Sequence, residues 1–205
     1  MNDYLFKEYL SSYLAAEKVE DLFESIKNFP ENIEKIYVKD NRSYYLQGDC
    51  VDNLPMTRLF EKDGILNCQI IYGKAVILNN SCDISEEREG GRKVNLFYSP
   101  LISLTKFEQM LERSGKNKEQ ICNYLKQIKK QTLSHIMYFP AFCGNKEEYL
   151  IMFDKIFSCD YDLAKKYIKH RVFSLSNYGF YSFILKMSVH FLRIREREDR
   201  DVVNK

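Results

Sequence analysis

The sequence predicts an α+β domain in which helices surround a small, curled antiparallel β-sheet. Three observations favour this class. Residues 1–28 carry apolar side chains at three- and four-residue steps, which is typical of an amphipathic helix. Between Gln47 and Pro100, β-branched and aromatic runs alternate with turn signals at Gly48-Asp49 and Asp63-Gly64. The predicted strands lie before and after a helical pair and do not alternate regularly with helices, so antiparallel pairing is expected.

We expect three regions along the 205 residues. Residues 1–30 form an N-terminal helical segment. Residues 31–192 form the sheet domain, which has a helical insertion at about 104–132 and a C-terminal helix that begins at Ser176-Asn177. Residues 193–205 form a charged tail in which acidic and basic side chains alternate.

Local signals define the shorter elements. Thr105, with Glu108 three residues later, predicts a capping box at the start of the first inserted helix. Asn117 predicts the start of the second inserted helix. The remaining predicted elements are strands at 69–79, 94–98, 136–139 and 149–153 and a short basic helix at 160–169.

The composition is that of an ordinary globular protein, with 45% apolar and 29% charged residues. The net charge of +2 creates no field strong enough to require a nucleic-acid partner. The six cysteines occur singly, without CxxC or CxH spacing, so we expect reduced thiols and no metal site. We expect no membrane-spanning segment, because the apolar runs are too short to cross a bilayer. The singly placed cysteines favour a cytoplasmic location, and no cofactor is expected.

A small polar cluster directly follows the apolar strand Ala75–Leu78 and supplies the catalytic candidates Ser81, Cys82 and Asp83. A thiolate at Cys82 would require a base; His135 and His190 are possible bases, and His135 is the candidate included in the site. The structural alternative is a buried thiol and an Asx turn that closes the strand.

A second carboxylate, Asp49, would lie near Asp83 if the strands that carry them pair. Two such carboxylates could perform acid–base chemistry or bind a divalent ion. The alternative is that Asp49 only forms the turn after Gly48.

Basic residues cluster towards the C-terminus. We predict phosphate contacts from Lys165, Lys166, Lys169 and Arg171, with Arg193 of the last helical segment as a further candidate. The alternative is a solvated helix end whose cations interact with the negative pole of the helix dipole.

The order of a Gly48-Asp49 turn, a gap, the apolar strand Ala75–Leu78 and the small polar residues up to Asp83 resembles the PemK/MazF toxin family. The resemblance covers about residues 46–100. It implies an SH3-like β-barrel, a toxin–antitoxin or phage-defence setting, RNA or DNA as a partner and a homodimer.

One departure separates this chain from that family. The Arg-Pro pair that precedes the central strand in the toxins is replaced here by Ile71-Tyr72-Gly73-Lys74, while Ser81 matches the family's Ser/Thr. The chain also carries added helices, as do similar uncharacterised bacterial and phage-associated proteins. The resemblance therefore implies a degenerate endoribonuclease that engages nucleic acid.

Two other functions stay open at this point. Amphipathic helices could dock a protein encoded nearby, which would make the chain a non-enzymatic interaction module of a defence or toxin–antitoxin system. A thiol hydrolase that uses Cys82 is the third hypothesis, and it predicts that Cys82 reacts selectively with alkylating reagents.

Overall fold

Antiparallel strands dominate the structure, a computed structural model that describes residues 20–21, 24–25, 28–85, 93–142, 144 and 146–191. The strands are β1 (Tyr37–Val38), β2 (Cys50–Lys62), β3 (Ile65–Ile77), β4 (Asn95–Pro100), β5 (Ile102–Ser103), β6 (Ile136–Phe139), β7 (Tyr149–Met152), β8 (Phe157–Asp160) and β9 (Arg171–Leu175). The helices are α1 (Leu104–Arg113), α2 (Lys118–Lys129), α3 (Tyr161–Tyr167) and α4 (Asn177–Phe191), and a 3-10 turn covers Ile33–Ile36.

Two sheets organise these strands. The larger has six strands in the order β1-β9-β2-β3-β4-β8, and the smaller has three in the order β5-β7-β6. Every pairing is antiparallel. The predicted α+β class with antiparallel strands is therefore confirmed. Within the described residues, β1 and β8 end the larger sheet without pairing to each other, so no closed barrel is found there.

The core has three parts that follow from this layering. Cys50 and Val76 of the larger sheet share one apolar cluster with Phe139 of the smaller sheet and Phe183 of α4. A second cluster lies where α3 packs on the larger sheet, and its members include Leu54, Met56, Ala75, Tyr161 and Ala164. The third lies between the smaller sheet and the pair α1 and α2.

Helix caps show where local sequence rules hold. Asn117 forms the predicted start of α2, with a reciprocal capping box to Gln120. The capping box predicted for Thr105 and Glu108 is wrong. The cap of α1 is Ser103, whose hydroxyl accepts a hydrogen bond from Lys106 N at 3.3 Å. The buried Leu104 already belongs to the helix, so the capping position falls before it.

Several strand boundaries differ from those predicted. The predicted strand at 69–79 is only part of β3. Strand β2 lies in the stretch Gln47–Pro100 where short strands were expected, but its bounds were not predicted, and strands β5, β8 and β9 were missed. The C-terminal helix begins at Asn177, as predicted. Residues 20–21 and 24–25 are helical, while the rest of the segment before residue 28 and the tail 193–205 lie outside the described residues. No helix in the described part of the chain is long and apolar enough to cross a membrane.

Gly179 of α4 provides a test of how closely this helix approaches the 3-10 turn. A Cβ atom at this position would lie 2.1 Å from the carbonyl oxygen of Ile36. We expect Gly179→Ala to destabilise the protein by about 2 kcal/mol or more, measured by urea unfolding, because backbone must move to relieve the overlap. Gly73→Ala is the matched control, since its Cβ would meet Met56 at an ordinary 3.6 Å. Equal stability of the two variants would contradict this packing.

Candidate functional site

The polar turn after β3 is closed by two hydrogen bonds between its own residues. The amide of Cys82 donates to Asn80 Oδ1 at 3.0 Å, and the amide of Asp83 donates to the Asn80 carbonyl at 3.1 Å. These are the bonds of an Asx turn, the structural alternative considered for this segment. The side chains of Cys82 and Asp83 are exposed, so the thiol is not the buried one that the alternative included.

The predicted catalytic residues do not converge. His135 immediately precedes β6, and its Nε2 lies 3.3 Å from the hydroxyl of Tyr124 on α2. No hydrogen bond joins His135 to Cys82, both of which are described. Asp83 lines a cavity of about 290 Å³ together with Asn79 and Lys93. The Cys–His arrangement predicted for a thiol hydrolase is thus not assembled by hydrogen bonds in the described part of the chain.

Ser81 points instead towards a polar cleft at the start of β2. Its hydroxyl accepts a hydrogen bond from the backbone amide of Gln47 at 2.9 Å. The cleft has a volume of about 210 Å³ and is also lined by Arg42, Asp49 and Asn177. Asp49 was considered as a neighbour of Asp83 if their strands pair; in the structure Asp49 lines the cleft of Ser81, and Asp83 lines the other cavity.

Next to this cleft, Arg171 lies between two buried carboxylates. Its Nη1 is 3.0 Å from Asp40 Oδ2, and its Nε is 3.1 Å from Asp49 Oδ2. The Arg171 guanidinium also donates to the Tyr44 carbonyl and lies 5.4 Å from the centre of the Tyr45 ring. With a side chain only 12% exposed, Arg171 is committed to internal contacts. It was predicted to contact phosphate, and this placement leaves it out of the exposed basic surface.

The two carboxylates have opposite pKa shifts. The pKa of Asp40 lies well below its usual range, chiefly because Arg42 Nε donates to Asp40 Oδ1 at 2.7 Å, with help from Ser174 and Arg171. The pKa of Asp49 is raised, because the cost of burying its charge outweighs the hydrogen bond from Leu46 N and the attraction of Arg171.

The remaining basic candidates lie on or beside α3. Lys165, Lys166 and Lys169 are exposed, as predicted for a phosphate-contacting or a solvated surface. Helix α3 is fixed by an aspartate cap, since Asp160 Oδ1 accepts from Leu163 N at 2.9 Å. Arg193 lies outside the described residues.

Beside α3, strands β2 and β3 extend beyond the core as a two-stranded arm, which we define as residues 57–72. The strands pair with each other from Leu54 and Gly73 up to the turn at Asp63-Gly64. Both turn residues have positive φ, 55° and 73°, which matches a two-residue hairpin turn. The larger sheet pairs with this hairpin only near its base, so the described strands leave both edges of the arm free.

The arm has two different faces, because directly opposed residues share a face and alternate residues change face. The apolar face contains Leu59, Cys68, Leu66, Ile70 and Tyr72, with Thr57 and Glu61. The opposite face, here called the mixed face, contains Arg58, Lys62, Asn67 and Gln69, with Phe60, Ile65 and Ile71. The mixed face continues the side of the sheet that carries Leu54 and Met56, where α3 packs.

Sequence reasoning identified the turn of the arm but missed its length and its faces. The turn Asp63-Gly64 was the available signal, and pairing outwards from it would have placed Arg58 opposite Gln69. The alternation of buried and exposed residues that normally identifies a strand is absent here, because most residues from 57 to 72 are exposed.

Within the described residues, no group of three His, Cys, Asp or Glu side chains is placed to hold a metal ion. Comparisons of the chain with protein-family models, curated proteins and solved structures found no match.

The ion pairs of Arg171 predict a specific pH dependence of stability. Asp40→Asn should destabilise by about 2 kcal/mol at pH 7, because charged hydrogen bonds are lost. The lowered pKa of Asp40 means that its contribution is complete above about pH 4 and disappears as the pH falls through the folded-state pKa. Urea unfolding from pH 7 to pH 2.5 should therefore show the two proteins converging.

Asp49→Asn is the matched control for this prediction. Because the pKa of Asp49 is raised, its charged form costs stability above about pH 4, and the wild type gains relative to this variant as the pH falls. Relative to Asp49→Asn, the wild type should therefore become more stable as the pH falls through the folded-state pKa of Asp49 towards about pH 4, the opposite direction to the change predicted for Asp40. Parallel pH profiles for the two variants would contradict the assigned directions.

Proposed function

We propose that this protein binds nucleic acid through the mixed face of the arm and the neighbouring basic helix α3. The observation that carries the proposal is the register of the hairpin, which aligns the exposed Arg58, Lys62 and Gln69 with the half-buried Asn67 on one face. Arginine, lysine, asparagine and glutamine are the side chains that most often bond to base edges. Phe60 on the same face could contact bases through its ring.

The shape of the arm favours duplex DNA among nucleic acids. A two-stranded ribbon fits the major groove of B-DNA, which is about 12 Å wide, whereas the deep major groove of A-form RNA excludes side chains. From Thr57 to the turn, the arm extends about 20 Å, enough to follow the groove over several base pairs. Both edges are free of strand partners within the described residues, so the arm can enter a groove along its length.

Helix α3 supplies the phosphate contacts in this proposal. Helix α3 packs on the side of the sheet that the mixed face continues. The ring of its Tyr167 also contacts Tyr72, which belongs to the apolar face at the base of the arm, with centroids 5.4 Å apart, so the helix lies beside the base of the arm. The exposed Lys165, Lys166 and Lys169 would then face a backbone whose groove holds the arm. Such contacts are independent of sequence and sensitive to salt.

Fluorescence anisotropy with a random pool of duplex DNA tests the proposal. We expect wild-type binding at about 50 mM salt and at least a ~10-fold loss of affinity for the double variant Arg58→Glu, Lys62→Glu, with a smaller salt dependence. The matched control is Lys116→Glu, Lys130→Glu, which makes the same charge change at exposed positions beside α1 and α2. The proposal fails if the wild type does not retain duplex DNA or if the control loses as much affinity.

The cleft beside Arg171 favours a second candidate, cleavage of RNA by a toxin-like, defence-associated protein of the PemK/MazF kind with an SH3-like curl of the larger sheet. Asp49, Ser81 and Arg42 line this cleft together. A ribose 2′-hydroxyl could transfer its proton to the Asp49 carboxylate as its oxygen bonds to phosphorus. The bond to the 5′-oxygen then breaks, that oxygen takes up a proton from a solvent water molecule, and Arg42 offsets the phosphate charge.

A labelled RNA pool tests this second candidate. Wild-type protein should yield fragments with 2′,3′-cyclic phosphate ends, and Asp49→Asn should slow cleavage by about 100-fold or more. Glu112→Gln is a control at an exposed position on α1 and should leave the rate unchanged. Circular dichroism establishes that each variant is folded. RNA that stays intact with the wild type, or equal rates for wild type and Asp49→Asn, would exclude this candidate.

A further inference from the structure

We propose that the outer edge of β3 in the arm binds an extended segment of another protein, which pairs with β3 as an added antiparallel strand. At the base of β3, backbone groups point towards β4. The Lys74 carbonyl accepts from Leu101 N at 2.8 Å, and Leu78 N donates to the Phe97 carbonyl at 2.9 Å. Backbone groups of alternate residues in a strand face the same neighbour. Within the arm, the residues that face this side, here called the edge residues, are therefore Leu66, Cys68, Ile70 and Tyr72.

The edge residues form a row of backbone groups without a strand partner among the described residues, because β4 pairs with β3 only from Ala75 to Ile77. A second backbone in extended conformation presents acceptors and donors at the spacing that such a row requires. Side chains of a folded surface or a small ligand do not repeat at this spacing. The chemistry of the edge therefore selects another β-strand as its occupant.

Strand β3 also lacks the features by which natural edge strands avoid pairing with other chains. No residue from Ile65 to Gly73 is charged, and none is proline. The other strand of the arm has both features, since β2 contains Pro55, Arg58, Glu61 and Lys62. The edge of β2 is also engaged at its base, where the Tyr98 hydroxyl donates to the Pro55 carbonyl. The edge that is open to a partner is thus that of β3.

The surroundings of β3 favour a separate segment over a second copy of this chain. Two β3 strands related by a two-fold axis could pair over all of Leu66–Tyr72 only if Gly64 of each copy lay opposite Lys74 of the other. That place beside Lys74 is already taken by Leu101, which bonds to the Lys74 carbonyl. A second copy would have to shift outwards and leave part of the edge unpaired. A segment that ends beside Tyr72 meets no such obstacle.

The two faces of the arm define the side-chain pattern of the added strand. In an antiparallel pair, residues directly opposite the edge residues exchange hydrogen bonds with them and lie on the apolar face. There they would cover side chains such as Leu66 and Ile70, which are 71% and 58% exposed. The residues between them would lie beside Asn67 and Gln69 on the mixed face. The expected partner segment therefore alternates large apolar and uncharged polar residues.

Two N-methylated peptides test the backbone pairing by fluorescence anisotropy. Both match the length of Leu66–Tyr72, begin with valine and alternate valine or isoleucine with threonine or glutamine. Methylation at the polar positions keeps the N–H groups that face β3 and stops the peptide from pairing with itself on its other edge. This peptide should bind with a Kd of about 100 μM or below, and the peptide methylated at the apolar positions should bind at least ~10-fold more weakly. Equal affinities, or no saturable binding of the first peptide, would overturn the inference.

Proline substitutions test which edge is used. Ile70→Pro removes an N–H that points away from β2, so the pairing within the arm is kept while peptide affinity should fall at least ~10-fold. Thr57→Pro is the matched control, because Thr57 lies directly opposite Ile70 and directs its N–H to the edge of β2. This variant should bind the peptide like the wild type. Circular dichroism establishes that both variants are folded, and equal losses of affinity would contradict the assignment to β3.

Two further measurements separate this inference from other outcomes. If the edge instead pairs with a second copy, sedimentation equilibrium should show a dimer that Ile70→Pro dissociates, and the peptide should not bind; that result would overturn the inference. The inference does not rest on nucleic-acid binding, since the variant Arg58→Glu, Lys62→Glu leaves the edge residues unchanged and should bind the peptide normally. Retention of duplex DNA without peptide binding would overturn this inference alone.

Discussion

The placement of Arg171 between Asp40 and Asp49 is the constraint on which the candidate sites depend. Removing this cation would leave two carboxylates, 6% and 2% exposed, without their shared partner. Removing one partner of a buried ion pair lowers the free energy of unfolding by about 3–5 kcal/mol. The three residues come from β9, from the segment after β1 and from the start of β2, so their contacts fix these parts of the larger sheet relative to one another. The cleft lies beside this network, because Asp49 lines it, and β2 continues from the network towards the arm.

A rigid base explains how the arm can extend without support. The strand pairing beyond residue 57 is stabilised only by cross-strand bonds and side-chain pairs, and an isolated hairpin of this kind is marginal in water. Here the hairpin continues strands whose first residues, Cys50, Val51 and Leu54, are fully buried. The register of the two strands is set in the core and at the Asp63-Gly64 turn. The pairing of the arm between these two points is thereby fixed. The two faces of the arm are therefore determined by the buried residues at the start of the strands and by the turn.

The sequence predicted features that depend on neighbouring residues and missed those that depend on distant ones. Asn117 and the Asp63-Gly64 turn act within a few residues, and both occur where expected. Arg171 was interpreted as a surface cation because its partners Asp40 and Asp49 lie more than one hundred positions away along the chain. The spacing of apolar residues along the chain gives no sign of an ion pair between residues so far apart. The strands of the arm escaped for a related reason: both faces are exposed, so the alternation of burial that identifies a strand is absent.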